Sequence, residues 1–165
     1  MNLPAGKIVR SLEKGKDNFV AGIAELVKTG FTGYFILTIE GYSGIEEGVL
    51  FIREGQVIGA SFEYPKYGVS VFGDSAAKQF FNALAAKHGV ADVCELSKQQ
   101  LELITTFNEK TILEKQITEK DLERITPKSY TSGFAKQTLG KVIEEQESVH
   151  NVFKRAGLEA VDKSY

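Results

Sequence analysis

The side chains of this 165-residue sequence best equipped for chemistry are one cysteine, Cys94, two histidines, His88 and His150, and an acid set among apolar neighbours, Asp92. Cys94 with His88 has the residue types of a nucleophile and its base. Reactive cysteines, however, occupy electropositive and partly exposed settings. Cys94 lies on the apolar face of a predicted strand, Val90 to Leu96, where a free cysteine reads as a small buried hydrophobe. A structural zinc site takes four closely spaced ligands, and one cysteine with two distant histidines lacks that spacing. No metal is expected. His88, followed by Gly89, reads as the end of a helix, where its positive charge suits the dipole.

The carboxylates follow the same pattern. Glu46–Glu47 and Glu144–Glu145 read as solvated faces, Asp74 as a helix cap, and Asp92 as a strand acid facing water. Phosphate cradles are glycine-rich loops opening onto a helix N-terminus. Gly30-Phe31-Thr32-Gly33 leads from a helix into a strand, and Gly73-Asp74-Ser75 sets an aspartate where an anion would sit. No catalytic residue and no cofactor is expected, so the chain reads as a non-enzyme.

The elements that position these groups are predicted from hydrophobic period and turn chemistry. Lys7 to Leu12 fits a strand or a helical turn. Val20, Ile23, Ala24 and Val27 recur at helical spacing over Asn18–Thr29, with Asp17 as the N-cap. Three strands follow, Phe31–Glu40, Val49–Arg53 and Gln56–Tyr64, the last two joined at Glu54-Gly55, because glycine accepts the positive φ of a tight hairpin. Pro65 closes the third strand, and Tyr67–Phe72 adds a short edge. A helix over Asp74–His88 carries Ala77, Phe80, Phe81 and Leu84 on one stripe. Val90–Leu96 is a fourth strand. Ser97-Lys98-Gln99-Gln100 matches a capping box ahead of a helix with Leu101, Ile104 and Phe107. Lys110–Gln116 fits neither period, and Thr118–Ile125 reads as a short helix. Ser129–Gly133 is a polar linker, and Phe134–Ala156 a long amphipathic helix. The expected fold is α+β: a mostly antiparallel twisted sheet packed against helices, with a helical C-terminal extension. The expected division is residues 1–128 and 129–165.

Composition narrows the class. Hydrophobic residues make up 42% of the chain, enough for a core. Twenty basic and 22 acidic residues give a net charge of −2, which argues against nucleic acid or an acidic membrane as partner. A lone cysteine excludes an intrachain disulfide. The N-terminus lacks the apolar run of a signal peptide, and no run reaches the length of a membrane span. A cytoplasmic location is expected.

Two features stand out as interaction surfaces. The loop Tyr64-Pro65-Lys66-Tyr67-Gly68 either displays two tyrosines, a residue type enriched at interfaces, or uses both rings to lid the core. The C-terminal helix, with Val142, Val149 and Phe153 on its stripe, either packs on its own domain or serves self-association or capture by a protein partner. A small ligand between sheet and helices is the alternative occupant of the fold.

The order Thr32-Gly33, Gly48-Val49-Leu50-Phe51, Glu54-Gly55 and Val57-Ile58-Gly59-Ala60 resembles that of the PATAN-type domains and related archaeal domains of unknown function. The likeness spans about Asp17 to Phe107, and the Gly41–Glu46 loop is longer than the bacterial pattern. The resemblance implies a non-catalytic module of prokaryotic signalling, linked with receiver, tetratricopeptide or small-GTPase-regulating systems. Its matching residues are structural and assign no site residue. The function expected is a protein-interaction or adaptor module, with a small-ligand sensor as the alternative.

Overall fold

Local chemistry sets the first boundaries in the computed structural model, which describes residues 3, 6–140 and 142–144. Strand β1, Lys7–Glu13, resolves the first ambiguity in favour of a strand. Helix α1, Phe19–Lys28, is capped by Asn18, whose side chain accepts from the Ala21 amide at 3.1 Å. The expected cap, Asp17, is occupied elsewhere: its carboxylate accepts from the Glu13 amide at 2.9 Å and ties the turn back to β1.

Strands β2, Gly33–Glu40, β3, Ile45–Arg53, and β4, Gln56–Tyr64, form a meander. The β3–β4 turn has φ of 50° at Glu54 and 75° at Gly55, the two positive values a primed hairpin turn needs. A side chain at Gly55 would also stand 2.2 Å from the Val27 carbonyl oxygen. After a 3₁₀ turn at Pro65–Tyr67 comes β5, Val69–Phe72. Helix α2, Gly73–Ala83, begins with Phe72 at the cap position and no side-chain cap, so Asp74 lies inside the first turn. Its carboxylate meets the Glu114 amide at 3.4 Å.

Helix α2 stops before the expected His88. The Ala85 and Ala86 amides bond back three residues, to Asn82 and Ala83, which tightens the end into a turn. His88 therefore sits in the connection to β6, Gly89–Glu95, and not at a helix C-terminus. The predicted capping box is present: Ser97 and Gln100 exchange hydrogen bonds at the start of α3, Lys98–Phe107. The stretch that fitted neither period forms a 3₁₀ turn and strand β7, Ile112–Ile117. Helix α4 is Glu119–Ile125.

All strand pairs are antiparallel within one seven-stranded sheet of order β1-β6-β2-β3-β4-β5. The outer edge of β4 is shared: β5 pairs along Ser61–Tyr64, and β7 meets Val57 and Gly59. Helices cover both faces. On one, Phe80 of α2 stands edge-on to Phe35 at 6.0 Å. On the other, Leu101 and Ile104 of α3 join Tyr34, Phe51, Ile58, Cys94 and Leu96. Phe35, Phe51, Phe62 and Phe80 are fully buried, each contributing about 1.5–3 kcal/mol through the apolar surface it removes from water. The fold is α+β.

The chain divides into compact units, Met1–Thr131 and Ser132–Tyr165. Tyr130 and Thr131 are hydrogen-bonded into the first unit. In the second, residues 133–140 and 142–144 are helical and Val142 is half-buried. The remainder of the expected helix, with Val149, His150 and Phe153, lies outside the described residues. Among the described residues no helix is long and apolar enough to cross a membrane.

Candidate functional site

Strand geometry separates the residues first singled out for chemistry. His88 is exposed at the entry to β6 and Cys94 is buried near its end. Six residues of strand at 3.3 Å each put them about 20 Å apart. Cys94 lies against Tyr34 under α3. Burial, followed by the hydrogen bond with Cys94, raises the Tyr34 phenol above its usual range. Asp92 is half-buried and accepts from the Ser11 hydroxyl at 2.5 Å. The three side chains do not converge. Among the described residues no group of three or more His, Cys, Asp or Glu is placed to hold a metal ion.

The tyrosine loop divides its two rings between core and surface. Tyr64 is not displayed: its ring is buried beside Phe62, and its hydroxyl donates to Gln79 of α2 at 2.5 Å. Tyr67 is half-buried, with its hydroxyl 2.5 Å from Ser43 and Lys66 above its ring.

Glu46 corrects the reading of Glu46–Glu47 as a solvated face, since it is 3% exposed. Alternation along β3 puts it on the side of Gly48, Leu50 and Ile52, but the side of Glu47, with Val49 and Phe51, is equally apolar, so the pattern does not mark which acid is buried. Its Oε1 accepts from the Tyr42 amide at 2.9 Å and the Tyr130 hydroxyl at 3.0 Å. Burial pushes its pKa up, and those two bonds oppose the shift. Tyr130 is driven above the normal phenol range by burial and by the charge of Glu46. Gly41 makes room for this carboxyl, because a Cβ there would fall 2.1 Å from Glu46 Cδ. Next to it, Asn82 holds the Thr131 backbone by two bonds, Nδ2 to the carbonyl at 2.9 Å and the amide to Oδ1 at 3.0 Å. These bonds fasten the chain after α4 to the start of β3 and to α2.

A concave feature lies on the surface, apart from these clusters. A groove of about 720 Å³ runs between α1 and α4. Val20, Ala21, Ala24 and Leu122 supply its apolar lining, and Asn18, Glu25, Lys28, Glu119 and Lys120 its rim. Local sequence explains both walls. Ala21 and Ala24 lie on the side of α1 away from the buried Phe19 and Ile23. Leu122, 1% exposed, anchors α4, whose first turn is closed by Thr118 donating to Asp121 at 2.8 Å. Lys28 joins the helices through Glu119 at 2.9 Å, and Arg10 of β1 holds Glu25 at 2.7 Å. Both are exposed pairs, a type that contributes about 0–1 kcal/mol. Lys120 makes no ion pair with a described residue. The groove was not legible in the sequence, because its walls lie some ninety positions apart and neither helix shows the pairing alone. It also lies between two helices, not between sheet and helices.

Residues 1–108 match the archaeal family described as an uncharacterized protein conserved in archaea, DUF2226. That is most of the chain, and the chain belongs to this family. The match extends through β1–β6 and α1–α3. No curated protein and no solved structure matches the chain.

Proposed function

We propose that this domain is a non-catalytic protein-interaction module of the adaptor kind, working in prokaryotic regulation or signalling. The groove between α1 and α4 carries the reading. It is open, apolar on its floor and charged along its rim, as grooves that receive a partner's helix are. The likeness to PATAN-type domains supports the same reading, and membership of an archaeal family agrees with a prokaryotic setting. A small-ligand sensor is the second reading, favoured by a groove volume of about 720 Å³ within the range of small-molecule sites.

The reading is tested with a photo-crosslinking residue at Ala24, in cell extract of an archaeon that carries the gene. A protein adduct lost in Ala21→Arg supports the module. Absence of any groove-dependent adduct, with a metabolite raising the Tm of the wild type but not of Ala21→Arg, replaces it with the sensor.

A further inference from the structure

We infer that the α1–α4 groove takes a short amphipathic helix carrying an acidic residue one turn beyond its apolar anchors; this rests on the interaction reading above. The walls are helices, whose backbone groups are internally bonded, so an added strand would find no ladder to join. The floor suits a helix. Ala21 and Ala24 are small and one turn apart, and Val20 and Leu122 flank them. A helical turn with its side chains fills roughly 420 Å³, from a diameter of about 10 Å and a pitch of 5.4 Å. A groove of about 720 Å³ therefore seats fewer than two turns, enough for two apolar anchors four residues apart.

Charge selects the occupant. Both rim acids are neutralised within this chain, Glu25 by Arg10 and Glu119 by Lys28. Lys120 makes no ion pair with a described residue. The groove thus offers an incoming helix a cation at the end where α4 begins, and its complement is a carboxylate.

The probes are two synthetic helical peptides with leucines four residues apart, one with glutamate a turn further on and its twin with lysine there. Backbone amide NMR shifts are followed on the intact chain. The glutamate peptide is expected to shift Ala21, Ala24 and Leu122 and to bind on the order of five-fold more tightly than the lysine twin, a ratio typical of one exposed ion pair. Lys120→Glu, at an exposed position, should reverse that order without lowering the Tm. Equal binding of the twins, no shift at these residues up to millimolar peptide, or an unchanged order in Lys120→Glu overturns the inference. A dimer by solution mass that Ala21→Arg dissociates, which would put a second copy in the groove, does the same. If the peptides fail while the Ala24 adduct persists, the interaction reading stands and this occupant falls; if both fail, both fall.

Discussion

The Tyr130 hydroxyl donates to Glu46 Oε1 across 3.0 Å, although 84 positions of sequence separate the two residues. The bond holds the chain beyond α4 against the start of β3, on a carboxylate that also caps the Tyr42 amide. One buried oxygen therefore organises a hairpin turn and the exit from the first unit. Substitution by leucine would remove the acceptor of the half-buried Tyr130 hydroxyl, at about 1–3 kcal/mol if it is left unsatisfied, whereas Tyr42 is exposed. Glu46→Leu is expected to lower the urea midpoint accordingly, with the m-value unchanged.

The ionisation of Glu46 gives a pH signature. Its folded pKa is raised by burial. A carboxyl shifted in this direction contributes its full stability below its unfolded value, roughly pH 4.3, and that contribution is lost as pH rises through the folded value. Glutamine keeps the acceptor and does not ionise. Glu46→Gln is expected to be the more stable protein at pH 7, with the difference closing toward pH 4. Urea melts across that window check it, and an unchanged slope in the variant would assign the pH dependence to other groups.

Gly41 and Glu46 should behave as a coupled pair. Gly41→Ala forces its methyl against the Glu46 side chain, and overpacking of this kind costs about 1–3 kcal/mol. In a Glu46→Ala background the obstructing atoms are gone. The double-mutant cycle should then show that the second substitution costs much less than it does alone.

Asn82 is expected to control local opening of the segment before the break at Thr131. Asn82→Ala removes both bonds to Thr131, worth about 1 kcal/mol each. Hydrogen exchange at the Thr131 amide should accelerate, and trypsin should cut faster after the exposed Lys128. Protection unchanged at Thr131 would show that Asn82 does not control the opening of this segment.

What could be read from the sequence was local. Runs rich in aromatic and β-branched residues and the Glu54-Gly55 turn mark β2 to β4, and Ser97 with Gln100 marks the start of α3. Asp17 and Asn18 are both good cap residues, and the choice between them rests on a bond from Asp17 to Glu13 that is a tertiary turn and not a helix signal. The apolar stripe through Leu84 suggests a longer α2, yet amides bonding three residues back end it at Ala83. β7 shows no clean period because it meets β4 only at Val57 and Gly59. Glu46 shares a face with Gly48 and Leu50, but its partners Tyr130 and Tyr42 come from loops whose positions the fold alone decides. The groove follows the same rule: α1 and α4 each read as helices, and their juxtaposition is a product of the chain between them.

Cys94 provides a probe of the whole core. It is 4% exposed, packed with Tyr34, Leu96, Leu101 and Ile104 beneath α3. A thiol so placed reacts only when the structure opens, either by release of α3 from the sheet or by global unfolding. The two routes respond differently to mutation. Ile104→Ala removes a contact specific to α3 and costs about 2–5 kcal/mol if the site does not collapse. Phe80→Ala weakens the opposite face, where α2 meets Phe35, by about 3–5 kcal/mol. If α3 opens as a separate unit, Ile104→Ala accelerates thiol labelling of Cys94 in the absence of denaturant and Phe80→Ala does so much less. If the core opens only as a whole, the two variants accelerate labelling in proportion to their loss of stability, and α3 is then an integral layer of the sheet's second face.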